Sequence, residues 1–155
     1  MNINFMREAI NLANESVKSG RGGPFGAVVV RDEKILGRGS NLVTATNDPT
    51  AHAEMVAIRN ACRDLEHFQL EGCEIYASCE PCPMCLGAIY WARPAVLYYA
   101  CSHADAARYG FDDSFIYKEL ALPADQRTIP SRQVLREEAL SCFTGWDLND
   151  KKIPY

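Results

Sequence analysis

Some features are scarce, and each scarcity excludes a class of function. The 155 residues hold only three histidines, and Lys151-Lys152 is the only adjacent basic pair. With a net charge of −4 and scattered basic residues, the chain lacks the clustered positive face that a nucleic-acid partner usually demands, so no nucleic acid is expected. The longest uncharged run around the cysteines, residues 81–92, has twelve residues. A membrane helix needs about 20 apolar residues, so no membrane partner is expected. Residues 1–8, MNINFMRE, show no basic stretch followed by an apolar core, as a targeting signal would. The expected setting is cytoplasmic and reducing. Repeats, low-complexity tracts and long linkers are absent.

What is present points to a folded domain. Hydrophobic residues make up 48% and charged residues 23%, which excludes a disordered chain. The length suits one domain over residues 1–155, able to bury a core without a staple. Seven cysteines stand at positions 62, 73, 79, 82, 85, 101 and 142. An odd count leaves one thiol outside any closed disulfide framework. Cys79, Cys82 and Cys85 crowd into seven residues, a spacing that suits metal or redox chemistry better than stapling.

The periodicity predicts a mixed α/β layer structure. Met6, Ala9, Ile10, Ala13 and Val17 recur at helical spacing, with Asn4 as the expected N-cap and Gly20 as the stop. Residues 25–31 and 35–41 read as a hairpin across Asp32-Glu33-Lys34. Met55, Ile58, Cys62 and Leu65 share one face of a second helix after Thr50. Residues 74–78 and 95–100 read as strands joined by a helix over 83–92, which makes a right-handed parallel crossover. That helix is apolar nearly all round, so burial on every side is expected. Residues 104–108 form a short helix candidate, 111–132 read as irregular with breaks at Pro123 and Pro130, and 137–148 read as helix.

Two segments carry chemistry: His52-Ala53-Glu54 and Pro81-Cys82-Pro83-Met84-Cys85. Residues three apart share a helical face, so the sulfurs of Cys82 and Cys85 can address one atom. A helix N-terminus also favours the thiolate that binds metal. One His and two Cys leave a tetrahedral zinc with one open position, the mark of a catalytic site. His52 and Glu54 lie about 200° apart around a helix, so both serve one site only from the first turn, with Thr50 as the expected N-cap. Glu54 then suits a general base. Other readings stand beside this one. Cys82 and Cys85 suit a dithiol redox pair. Cys79, Cys82 and Cys85 begin an iron–sulfur spacing, although Ile89 occupies the fourth position. Cys79 is also a possible fourth ligand of a closed structural zinc. His67 and His103 read as surface or locally bonded residues, and Cys62, Cys73, Cys101 and Cys142 as small core residues. H-x-E followed by P-C-x-x-C is the signature of the zinc deaminases.

On these motifs, together with residues 22–28, 47–54, 78–94 and 110–119, the chain resembles the cytidine-deaminase-like superfamily and, within it, bacterial guanine deaminases. The resemblance implies a three-layer α/β/α fold whose mixed central sheet has about five strands between helices. It implies one zinc per subunit on His52, Cys82 and Cys85, and Glu54 as proton shuttle. It implies that Asn41 hydrogen-bonds a purine base, that Phe25 and Trp91 wall that base, and that Asp113 contacts the leaving amine. It further implies a homodimer with a swapped C-terminal segment, about residues 115–155, in which Tyr155 closes the partner's site.

Overall fold

The computed structural model describes all 155 residues, Met1–Tyr155. They form two compact units, Met1–Asp113 and Ser114–Tyr155. The first unit runs α1 (Ile3–Ser19), β1 (Gly26–Arg31), β2 (Lys34–Ser40), α2 (Val43–Thr46), α3 (Ala53–Asp64), β3 (Glu74–Cys79), α4 (Pro83–Ala92), β4 (Val96–Cys101) and α5 (His103–Ala107). The sheet order is β2-β1-β3-β4. β1 is antiparallel to β2 and to β3, and β3 and β4 are parallel around α4. The expected hairpin and crossover are therefore both present in one mixed sheet.

Alternation along the central strands builds the layers. Successive side chains of a strand point to opposite faces. Val28 and Val30 meet Met6, Ala9 and Tyr76 on the α1 side. Ala27 and Val29 meet Ala53, Ala57, Ala61, Ile75, Ala77 and Ile89 on the α3 and α4 side. With both faces covered, the first five residues of β1 are all buried.

α3 lies unusually close to β2. Gly37 and Gly39 stand two apart on one face of the strand, and Ala53, Ala57 and Ala61 stand four apart on one face of the helix. A Cβ on Gly39 would sit 2.0 Å from the Ala53 carbonyl oxygen, and one on Gly37 would sit 2.2 Å from that of Ala57. Only glycine permits this approach, which brings the N-terminus of α3 down onto the sheet end.

Four differences from the sequence expectations have physical causes. The sheet has four strands, not about five. Beyond β4, Ser102 caps α5 through a reciprocal bond with Asp105, which turns the chain into helix. α1 is capped by Asn2, whose Oδ1 accepts from the Asn4 N–H, and not by Asn4 itself. α4 buries only Cys85, Ile89 and Ala92, one stripe at helical spacing, while Tyr90 and Trp91 are 76% and 66% exposed. Residues 111–132 are not irregular throughout, since they hold α6 (Ser114–Ala121) and a 3-10 turn (Ala124–Gln126).

The second unit comprises α6, that turn and α7 (Arg136–Asp147), with Tyr155 edge-on to Trp146 at 6.5 Å. None of the residues in these three elements is buried. No helix is long and apolar enough to cross a membrane.

Candidate metal centre and active site

Two helix N-termini meet at the end of the sheet. His52 is the N-cap of α3 with extended backbone, and Glu54 lies in the first turn. Thr50, expected as the cap, instead sits two residues earlier, where its N–H and hydroxyl both donate to Asp48 Oδ1. The extended His52 backbone resolves the angular problem between His52 and Glu54, because His52 leaves the helix before its turn begins. Cys82 is the N-cap of α4, Pro83 follows it at the position where a missing N–H costs nothing, and Cys85 completes the first turn.

The donor atoms of His52, Cys82 and Cys85 all lie within 4.8 Å of one another. His52 Nδ1 is 3.5 Å from Cys82 Sγ, and the Cys85 thiol donates to Glu54 Oε2 at 3.5 Å. Zinc bonds of about 2.3 Å to sulfur and 2.0–2.1 Å to nitrogen, at a tetrahedral angle, put S and N roughly 3.6 Å apart. The His52–Cys82 spacing fits that value.

The electrostatics agree with a ligand set. The Cys85 thiol bonded to Cys82, together with His52, holds the Cys82 thiol down at about 4 against the opposing effect of burial. The neighbouring Cys82 thiolate, burial and the Glu54 charge push Cys85 upward. The bond to Cys82 raises His52. Glu54 is only 6% exposed, and burial raises its carboxyl with Cys82 adding to the effect. The two thiols are thus driven in opposite directions, Cys82 down and Cys85 up, with a buried carboxyl beside them.

The other expected site residues are placed as follows. Asn41 is buried, and its Oδ1 accepts from the N–H groups of Gly23 and Val43, both at 3.3 Å. Gly22 makes this possible, since a Cβ there would lie 2.0 Å from the Asn41 carbonyl oxygen. Phe25 packs edge-on against Phe111, with ring centroids 4.9 Å apart. Asp113 is raised by burial, and Cys82 is among the charges that act on it. Trp91 lies nine residues beyond Cys82, about 13 Å along α4 at 1.5 Å per residue, at the far end of that helix. Tyr155 belongs to the second unit, 71% exposed against Trp146.

The structure adds groups that the sequence reading passed over. Ser78 is buried, and its hydroxyl accepts the Gly26 N–H at 3.0 Å, fixing the loop that carries Phe25. Glu80, beside the Cys82 motif, accepts from the His103 N–H and bonds its Nδ1 at 2.8 Å. A cavity of about 310 Å³ is lined by Phe25, Ser78, Cys79, Cys101, Tyr109 and Phe111, with Pro24, Asp105 and Ala106. Pro24, Phe25, Ser78, Cys79 and Phe111 lie inside the motif segments of the sequence and Cys101 entered only in the odd cysteine count, whereas Asp105, Ala106 and Tyr109 carried no signal of a site.

Comparison with known proteins agrees with this geometry. Residues 1–101 match the family described as the cytidine and deoxycytidylate deaminase zinc-binding region. The chain is 60% identical over 142 residues to a guanine deaminase of Bacillus subtilis, covering 92% of this chain and 91% of that one. A crystal structure of guanine deaminase from Bacillus subtilis superposes with a TM-score of 0.97 at 57% identity, covering 100% of this chain and 99% of that one. A tRNA-specific adenosine deaminase of Aquifex aeolicus is 43% identical over 89 residues, 57% of this chain and 58% of that one. With its H-x-E and P-C-x-x-C segments brought to one point inside the matched region, this chain belongs to the zinc-binding cytidine and deoxycytidylate deaminase family.

Proposed function

We propose that the protein hydrolyses guanine to xanthine and ammonia at a zinc held by His52, Cys82 and Cys85. The observation that carries the reading is the buried Glu54 carboxyl placed 3.5 Å from Cys85 Sγ, within a ligand set of the deaminase type. The near full-length likeness to a guanine deaminase supports guanine as the substrate.

When bound, zinc with one open position lowers the pKa of a coordinated water toward ~7 and so supplies the nucleophile. Glu54 takes the proton released as water adds to C2 of guanine and delivers it to N3. Burial raises this carboxyl, which suits a group that must hold a proton and give it up again. The hydroxyl now on C2 then gives up its proton, which Glu54 or Asp113 passes to the amine; the C2–N bond breaks, ammonia leaves and the C2 carbonyl of xanthine forms. Asn41 commits its Oδ1 to backbone N–H groups, so its amide nitrogen is the end that addresses the base. Phe25 offers a ring face or edge to the purine.

The quaternary reading is a homodimer in which the segment 115–155 crosses to the partner. Its support is energetic. Helices as short as α6 and α7 are marginal without a packed face, yet neither buries a residue. Tyr90 and Trp91 also present aromatic surface on α4. Tyr155 would then close the site of the other copy.

The test is ammonia release by the zinc-loaded protein from guanine, guanosine, adenine, cytosine and cytidine. Xanthine from guanine alone is expected. Activity only on nucleosides, or only on adenosine in transfer RNA, overturns the assignment. For the swap, a chain lacking Tyr155 mixed with a Glu54→Gln chain should recover activity, and no recovery despite confirmed subunit exchange counts against it.

A further inference from the structure

Cys79 and Cys101 are direct register partners across the parallel strands β3 and β4. Neighbouring strands lie about 4.7–4.9 Å apart, inside the 4.4–6.8 Å Cα window of a disulfide. Both residues line the same cavity, so their side chains leave the sheet on one side. Cys101 is exposed, while Cys79 is 7% exposed with its Sγ toward the Ser102 carbonyl at 3.6 Å. The other thiols are placed differently. Cys82 and Cys85 belong to the metal centre, Cys62 and Cys73 pack in or against the core, and Cys142 lies in the second unit.

We propose that Cys79 and Cys101 form a thiol modification site that closes to a disulfide when a low-molecular-weight disulfide enters the cavity, reshaping the wall that carries Phe25. Exposed Cys101 reacts first. Its thiolate attacks one sulfur of the small disulfide, forming a mixed disulfide and expelling one small thiolate, which takes up the proton Cys101 lost. Cys79 then gives up its proton and attacks Cys101 Sγ, and the second small thiol leaves. Two protein thiols are oxidised by two electrons, and one small disulfide is reduced to two thiols. Burial, with Cys101 adding to it, pushes the Cys79 thiol up to about 11, so the second attack is the slow one.

The new bond lies three residues before Cys82 and one after Ser78, which holds the Phe25 loop. A change in turnover rests on the deaminase reading, whereas formation of the bond does not.

The experiment treats the zinc-loaded full-length protein with oxidised glutathione, blocks remaining thiols and maps the peptides by mass spectrometry. A Cys79–Cys101 linked peptide is expected, with zinc retained, guanine turnover reduced at least twofold and both effects reversed by dithiothreitol. C101S should give no linked peptide and no oxidation-dependent change. C79A should stop at a glutathione adduct on Cys101. A stable adduct on Cys101 of the unaltered protein, an unreacted Cys101, or linkage of Cys82 to Cys85 with loss of zinc overturns the site. A mapped bond with unchanged turnover overturns the coupling to the cavity. If the reduced protein has no guanine activity at all, the deaminase reading fails while the mapped bond still decides the site.

Discussion

Replacing Gly39 by alanine tests how the metal centre is positioned. The added Cβ would lie 2.0 Å from the Ala53 carbonyl oxygen and 2.6 Å from the Ala57 nitrogen. Both are main-chain atoms, so no side chain can swing aside. Ordinary contact begins at 3.4 Å, so 3.4 less 2.0 leaves about 1.4 Å for α3 to give. That displacement falls on the first turn, next to His52 and Glu54. Overpacking of this kind costs ~1–3 kcal/mol, and misplacing reacting groups by about 1 Å costs on the order of 10²-fold in rate. Gly39→Ala should therefore lower the urea midpoint, weaken zinc binding and reduce guanine turnover about a hundredfold. Gly87→Ala in α4 is the control, because a Cβ there meets nothing within 4 Å. It should be neutral or stabilising by roughly 0.5–1 kcal/mol. Unfolding by urea, zinc titration and xanthine formation measure the three effects. A Gly39→Ala protein with wild-type stability and wild-type zinc affinity would refute the packing argument.

Four further outcomes follow from the site and its surroundings. Zinc affinity should fall as pH drops from 8 to 5, because the bond to Cys82 raises His52 and a protonated imidazole cannot ligate. The Cys82 bond and burial push the Cys85 thiol up and a zinc ligand must be a thiolate, so calorimetry at pH 8 in buffers of different ionisation enthalpy should show net proton release on zinc binding; no release would contradict the thiol assignment. Changing Tyr90 and Trp91 together to serine should weaken the dimer in sedimentation while leaving zinc content unchanged; an unaltered dimer would remove α4 from the interface. Ser102→Ala removes the cap of α5 and should cost about 1 kcal/mol in urea unfolding; no loss would mean the box is not needed.

Much of this was legible in the residues. The strand expected over 25–31 is present as Gly26–Arg31 with its first five residues buried, and the turn at Asp32-Glu33 and the Pro83 helix start, also local signals, appear in the structure. His52, Cys82 and Cys85 were legible because metal ligation demands particular atoms at short spacing. Less legible were features set by packing across the fold. Composition shows that α4 is apolar, but it does not say which face meets the sheet; Tyr90 and Trp91 fell on the other one. The helix cap at His52 was missed because Asp48 competes for Thr50. The Glu80–His103 and Cys79–Cys101 pairs join residues more than twenty apart, which only strand pairing brings together.

The central claim is that Glu54 moves the proton at a zinc held by His52, Cys82 and Cys85. Xanthine formation from guanine by Glu54→Gln, measured on protein with one zinc per chain, tests it most directly. Loss of at least ~100-fold in turnover with zinc content unchanged is predicted. Turnover near the wild-type rate would contradict it.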